Sequence, residues 1–159
     1  MSENPFFEIW DTPFGMPPFD RIRPEHFPSA FDRAMAEHNA EIAAIAGAAA
    51  APSFANTIEA LERSGRLLDR VSRVFFNLDA SDTNDALEAI ARDYAPKLAQ
   101  HQTQIALNER LFARIAALHA RREMLGTNAV ERWRAERRVP SIEKWIVGHC
   151  GSSGGFIRS

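Results

Sequence analysis

Apolar residues along this chain recur mainly every three or four positions, the spacing that places them on one face of an α-helix. The first such stripes predict helices over residues 24–46 and 56–78, and later ones predict helices over residues 83–105 and 108–124. No stretch alternates apolar and polar residues in the manner of a strand. The pattern therefore predicts an all-α bundle or array of about four helices.

Small polar residues stand where these helices should begin. Asn56 is the expected N-cap of the second helix, with Glu59 as its capping-box partner. Asp82 or Thr83 is the expected cap of the third helix, and Asn108 that of the fourth.

Two residues inside the predicted helices are poor helix formers. Gly65 costs about 1 kcal/mol relative to alanine in a helix interior, so we expect another helix to cross closely at that position. Pro96 deprives the carbonyl of Arg92 of its donor, so we expect a kink near Arg92 in the third helix.

Residues 1–23 differ from the helical body because prolines and aromatic residues are dense there. Proline at this density excludes a long helix or a central strand. A solvated linker rarely carries so many rings, so the sequence predicts an extended arm that packs its rings on the helices. The aromatic residues concerned are Phe6, Phe7, Trp10, Phe14 and Phe19.

The helical pattern covers residues 24–125 and then stops. Four of the eight glycines and two of the three tryptophans follow Gly126, and Pro140 and several arginines interrupt any helical period there. We therefore expect three regions, an arm over 1–23, a helical region over 24–125 and an atypical tail over 126–159. A shifted reading frame, a disordered segment and a genuine short C-terminus all remain open for the tail.

Composition and charge exclude several classes of function. The formal net charge is -2, which does not suit a dedicated nucleic-acid binder, and the arginines between 132 and 138 are typical of a solvated surface. No apolar run reaches the roughly 18 to 20 residues of a membrane span. The single cysteine, Cys150, forms no internal disulfide, and the first residues do not resemble a signal peptide. We expect a cytoplasmic protein with no nucleic-acid or membrane partner.

The five histidines are the natural candidates for metal or acid–base chemistry, but no two have the spacing of a zinc-protease helix. His119 and Glu123 are four residues apart, a spacing that is common on solvated helices. His38 and His101 fall on apolar stripes, where a histidine is usually buried and bonded to a neighbouring helix. A pairing of these two across helices stays open.

The glycine-rich segment near the C-terminus carries little signal. Adjacent His149 and Cys150 lack the rigid base and orienting group that a nucleophile needs. Residues 151–155 lack the Gly-Lys-Ser/Thr ending of a phosphate loop. The residues themselves therefore predict no catalytic, cofactor-binding or metal-binding side chain.

The order of short motifs over residues 4–125 is nevertheless distinctive. The blocks are Thr12-Pro13-Phe14-Gly15, Pro17-Pro18-Phe19-Asp20, Pro24-Glu25-His26-Phe27, Pro52-Ser53-Phe54-Ala55-Asn56-Thr57-Ile58-Glu59, Val74-Phe75-Phe76-Asn77-Leu78 and Leu107-Asn108. This order of motifs resembles the N-terminal part of the thimet oligopeptidase and neurolysin family of zinc metallopeptidases. It is most similar to the bacterial peptidyl-dipeptidase (dipeptidyl carboxypeptidase) branch, with oligopeptidase A as a near relative.

The resemblance implies a much longer, almost entirely helical enzyme with a deep channel. Zinc would lie on a His-Glu-x-x-His helix in the C-terminal half, where the glutamate activates the zinc-bound water. The branch removes dipeptides from the free C-termini of short peptides, and the N-terminal helices roof the channel. No residue of this chain matches a metal or catalytic position of the family.

We therefore expect a channel-wall fragment of a zinc-dependent peptidyl-dipeptidase that neither hydrolyses peptides nor binds zinc by itself. Its partners would be short peptides within the full-length enzyme. The alternative is a stand-alone helical interaction module that self-associates or binds a partner through exposed apolar helix faces.

Overall fold

The structure is a computed structural model that describes residues 4–121, and it contains five α-helices in that range. They are α1 (His26–Gly47), α2 (Ala60–Arg63), α3 (Arg66–Ser81), α4 (Asp85–Ala106) and α5 (Glu109–Ala120). A π-helical turn, Phe54–Glu59, leads into α2, and two 3-10 turns, Pro5–Phe7 and Pro13–Gly15, precede α1. No strand occurs among these residues, so the predicted all-α fold is confirmed.

Helix α1 lies at the centre of the molecule and contacts α3, α4 and α5. Its first half packs in one hydrophobic core with α3, α4 and the arm, and its second half packs in another with α5 and the π-helical turn. A single long helix thus connects two cores, and His38 lies near its middle, between them.

The first core is mainly aromatic. The Phe27 and Phe75 rings meet edge to face with centroids 5.0 Å apart, and Phe31 stacks on Tyr94 at 5.2 Å. Offset and edge-to-face arrangements of this kind add stability beyond the area they bury. The second core is aliphatic and consists of Ile42, Ile45, Ile58, Leu111, Ile115 and Leu118.

The arm packs on the helices at both of its ends. Phe6 is fully buried, with its ring centroid 5.2 Å from that of Phe27, and Ile22 is also buried. The Trp10 indole donates a hydrogen bond to the carbonyl of Pro5. Between these anchors, however, several apolar side chains point into solvent, so only part of the predicted ring packing is found.

The prediction of a single second helix over residues 56–78 is wrong, because the chain leaves the helical conformation at Ser64 and Gly65. Ser64 is extended, with φ −74° and ψ 158°, and Gly65 is left-handed, with φ 70°. Glycine adopts that conformation without the steric cost that a Cβ imposes. Gly65 therefore lies outside a helix interior and is the N-cap residue of α3.

Two of the predicted N-caps are also wrong. Ser53 caps the π-helical turn, and Asn56 is its reciprocal partner, since the Ser53 N–H donates to Asn56 Oδ1 and the Asn56 N–H donates to Ser53 Oγ. Asn84 caps α4 and accepts from the backbone of residues 86 and 87. The structure confirms Asn108 as the cap of α5, where it accepts from the Leu111 N–H. In each case the cap is the polar residue whose own backbone is extended.

Helix α4 runs without interruption through Pro96, and the predicted kink near Arg92 stays a prediction. The boundary expected at residue 125 and the whole tail lie outside the described residues. None of the described helices is long and apolar enough to cross a membrane.

Candidate functional site

The most unusual polar group of the fold is a pair of histidines between α1 and α4. His101 Nε2 lies 3.0 Å from His38 Nδ1, and the two ring centroids are 5.0 Å apart. His101 is 4% exposed. The pairing that the sequence left open therefore exists, and it crosses the middle of α1, between the two cores.

The hydrogen bonds around the pair determine which ring nitrogens carry protons. Ser64 Oγ donates to the carbonyl of Leu61 at 2.7 Å and lies 3.3 Å from His38 Nε2. Because the Ser64 proton is used, we assign the His38 proton to Nε2, so that its Nδ1 accepts from His101 Nε2. The network runs from His101 through His38 to Ser64.

This direction of donation is the reverse of that in a serine nucleophile with a general base. A base would have to accept the serine proton through a free ring nitrogen, with an acidic group orienting its other nitrogen. Here Ser64 gives its proton to a backbone carbonyl, and the third member is a second histidine. The cluster therefore holds elements together and does not activate Ser64.

The same cluster explains the break between α2 and α3. The Gly65 N–H donates to Glu41 Oε2 at 2.7 Å. A Cβ at Gly65 would lie 2.9 Å from His38 Cε1, closer than side chains tolerate. His38 and Glu41 are three residues apart on one face of α1, and together they hold the turn at Ser64 and Gly65 against that helix. This is the close crossing that the sequence predicted at Gly65.

Both histidines favour the neutral form. Burial, followed by the charge that His101 would carry, lowers the pKa of His38 from 6.5, while the Glu41 carboxylate acts in the opposite direction. Burial also lowers the pKa of His101 from 6.5. Two neutral rings can share a hydrogen bond without repulsion, which suits a structural contact at neutral pH.

A cleft of about 350 Å³ lies beside His101, between α1 and α4. At its edge the Tyr94 hydroxyl is 3.0 Å from Asp32 Oδ1, and the Lys97 ammonium lies 4.1 Å from the Tyr94 ring centroid. Burial, together with the hydrogen bond and charge of Asp32, raises the pKa of Tyr94 to about 12. The lining is largely polar and includes Asp32, Asn39, Lys97, Gln100, His101 and Gln104.

A second buried polar group, Arg114, was missed by the sequence analysis. Its Nη1 donates to the carbonyls of Ala48 and Ala50, and its Nη2 donates to Asn56 Oδ1 at 2.9 Å. Arg114 is 7% exposed and its Nε has no hydrogen-bond partner within the described residues. It holds the segment after α1 against α5. The available signal was its position three residues after Leu111, on the apolar stripe of that helix.

The remaining sequence candidates do not assemble into a site. His26 Nδ1 accepts from the Arg23 N–H before the start of α1, and His119 lies in the last turn of α5. Glu123, His149, Cys150 and the arginines of residues 132–138 lie outside the described residues.

Zinc does not fit the side chains that the structure describes. In residues 4–121 no group of three or more histidine, cysteine or acidic side chains is placed to hold a metal ion. His101 Nε2 and His38 Nδ1 bond to each other, and His38 Nε2 bonds to Ser64. Glu41 accepts from the backbone N–H of Gly65. Zinc needs four ligand atoms arranged around one point, with at least three from protein in catalytic sites.

Comparison with known proteins gives the chain its relatives. No protein-family model matches it. It is 45% identical over 126 residues to dipeptidyl carboxypeptidase of Escherichia coli (strain K12), which covers 79% of this chain and 18% of that protein. The identity to dipeptidyl carboxypeptidase of Salmonella typhimurium is 43% over the same length. Oligopeptidase A of Salmonella typhimurium is 26% identical over 101 residues, 64% of this chain and 15% of that protein.

The chain thus spans about a fifth of the length of the dipeptidyl carboxypeptidases that it matches. These similarities confirm the resemblance predicted from the sequence blocks, including the weaker likeness to oligopeptidase A. The chain is therefore homologous, over about four fifths of its length, to a segment of the dipeptidyl carboxypeptidases.

Proposed function

We propose that the helical region of this chain performs the role of the matched segment in a peptidyl-dipeptidase: it forms part of the wall of a substrate channel. The whole enzyme would release dipeptides from the C-termini of short peptides, with zinc bound by other parts of the polypeptide. The observation that carries this proposal is the 45% identity over 126 residues to a dipeptidyl carboxypeptidase.

The geometry of the polar groups supports a scaffolding role for these residues. Hydrogen bonds join the two histidines to each other and His38 to Ser64, and Glu41 accepts from a backbone N–H. Arg114 likewise bonds to two carbonyls and an amide oxygen. Such networks fix the relative positions of helices, and a channel wall needs that rigidity.

A chimaera tests the proposal. The matched segment of the Escherichia coli enzyme is replaced by the 126 matched residues of this chain, and release of dipeptides from short peptides is measured. We expect the chimaera to retain activity, whereas the enzyme with the segment deleted loses it. The 159-residue chain alone should release no dipeptide when zinc is supplied. An inactive chimaera, or stoichiometric zinc binding with dipeptide release by the chain alone, would contradict the proposal.

One observation favours the alternative of a stand-alone interaction module: several apolar side chains of the arm are exposed. Light scattering on the 159-residue chain distinguishes the two. A discrete dimer favours the module, and a loosely folded monomer or aggregates favour the channel-wall segment. The cytoplasmic location expected from the sequence stays a prediction.

A further inference from the structure

Exposed apolar side chains are concentrated in the arm. Of the seven large hydrophobic side chains exposed in residues 4–121, five lie between residues 7 and 19. We call residues 9–19 the arm loop, and its exposed members are Ile9, Phe14, Met16 and Phe19. The loop has a fixed base, because Phe6 before it and Ile22 after it are buried in the first core. It therefore presents an apolar surface from a defined position on the helical body.

Phe14, at the tip of the arm loop, combines full exposure with backbone strain. Its φ of 60° and ψ of 15° are left-handed, a conformation that is costly for a bulky residue. The phenyl ring is fully exposed among residues 4–121, so no burial of the ring offsets the cost of the backbone strain there. Strained backbone that the local structure imposes is found preferentially at ligand and partner sites.

Local hydrogen bonds hold Phe14 in this conformation. The Gly15 N–H donates to the Thr12 carbonyl at 2.9 Å, and the Met16 N–H donates to the Pro13 carbonyl at 3.3 Å. The Thr12 hydroxyl donates to the Met16 carbonyl, which closes the turn. The exposed ring is thus presented by an ordered turn, which lowers the entropy lost when a partner binds it.

We propose that the arm loop docks, with Phe14 as its anchor, into an apolar pocket on the polypeptide that makes up the rest of a dipeptidyl carboxypeptidase. This inference rests on the proposed function. The matched relatives have about four fifths of their length outside the segment that this chain covers, so most of their polypeptide is available as the partner. A single aromatic side chain buried in a pocket is a typical anchor of such contacts.

The cleft beside His101 is a poor partner for Phe14. The cleft is wide open to solvent, and amide and charged side chains such as Asn39, Gln100 and Lys97 line it together with Met35 and Ala36. Burying a phenyl ring there would displace water from polar groups that the ring cannot bond. Phe14 of a second copy would therefore fit this cleft poorly, which leaves the remaining polypeptide of the enzyme as the partner that we propose.

The substitution Phe14→Gly tests the proposal, because it should change the melting temperature differently in the 159-residue chain and in the chimaera. In the 159-residue chain the melting temperature should rise or stay the same, because glycine removes the left-handed strain and no buried ring is lost. In the active chimaera the melting temperature should fall by about 2 to 3 °C, because a buried anchor is lost from a protein of that size. The matched control Phe14→Leu keeps a large apolar side chain and the left-handed backbone, so it should lower the melting temperature of the chimaera less than Phe14→Gly does. A rise or no change in both proteins would overturn the proposal.

Photo-crosslinking identifies the partner directly. Benzoylphenylalanine replaces Phe14 in the chimaera and in the 159-residue chain, and mass spectrometry locates the crosslinks. We expect crosslinks to Escherichia coli sequence outside the replaced segment. Crosslinks to a second copy, or to residues 122–159 with none in the chimaera, would overturn the proposal. An inactive chimaera counts against the proposed function, whereas an active chimaera that is indifferent to Phe14→Gly counts against the docking alone.

Discussion

His101 donates a hydrogen bond from Nε2 to Nδ1 of His38 at 3.0 Å and thereby joins two helices through residues 63 positions apart in the chain. The bond requires a neutral His38, because a protonated Nδ1 could no longer accept, and two imidazolium ions would also repel each other. The contact between α1 and α4 is therefore coupled to pH, and the turn at Ser64 is coupled to the same pair through His38.

The pKa shifts of the pair predict that acid destabilises the fold. The pKa values of His38 and His101 lie below 6.5 in the folded chain, so the unfolded chain binds more protons as the pH falls past 6.5. Their contribution is fully present above that pH and is lost as the pH decreases towards the folded-state values. Urea unfolding of the chain between about pH 7.5 and pH 5 should show this loss.

His101→Gln separates the histidine pair from other titrating groups. The glutamine amide can still donate to His38 Nδ1, but it does not titrate and cannot repel a protonated His38. We expect the variant to lose less stability than the parent chain over the same pH range. An unchanged pH dependence would show that the pair does not control the acid response.

Three glycines allow backbone strain to be separated from close packing. Gly65→Ala should destabilise the fold by about 2 kcal/mol, because it meets both a φ of 70° and the His38 ring at 2.9 Å. Gly15→Ala meets a φ of 66° in open space and should cost roughly 1 kcal/mol. Gly47→Ala, where a Cβ would meet Arg110 only at 4.0 Å, should be neutral or slightly stabilising. Chemical denaturation measures all three, and equal losses for Gly65→Ala and Gly15→Ala would exclude the His38 contact as a cause.

Arg114→Met should destabilise the chain by about 2 kcal/mol, because the carbonyls of Ala48 and Ala50 and the Asn56 amide oxygen lose a common donor. Arg110→Met is the matched control, since it makes the same chemical change one turn earlier on the exposed face of α5. Its effect should stay within about 0.5 kcal/mol. Thermal or urea unfolding compares the pair, and similar effects of the two substitutions would mean that the buried bonds of Arg114 do not stabilise the fold.

The N-cap of α4 gives a further measurable difference. Asn84→Ala should cost about 1 kcal/mol, because its side chain accepts from two backbone N–H groups of the first turn, each at 3.1 Å. Thr83→Ala changes the neighbouring residue, whose hydroxyl donates to Asp79, and should cost less. The two variants are compared by urea unfolding. A larger loss of stability for Thr83→Ala than for Asn84→Ala would place the cap at Thr83, one of the two residues that the sequence predicted.

Much of the helical core was predictable because periodicity reports directly which residues face inward. Phe27, Phe31 and Ile42 recur at helical spacing within the first predicted helix, residues 24–46, and all three are buried. Arg114 could not be selected in the same way, because an arginine on an apolar stripe usually extends to solvent along its alkyl stem. Burial of the Arg114 guanidinium is favourable because it donates to the Ala48 and Ala50 carbonyls beyond the end of α1 and to Asn56 Oδ1.

By itself the sequence determined the all-α class, the central apolar stripes, the histidines on those stripes and the likeness to the dipeptidyl carboxypeptidases. Tertiary structure decided the break at Ser64 and Gly65, the hydrogen bond between His38 and His101, and the exposure of Phe14. The physical reason is that apolar spacing and local propensity act within a few residues of the chain. Groups brought together from distant positions decide the left-handed turn at Gly65, the hydrogen bond between His38 and His101, and the exposure of Phe14.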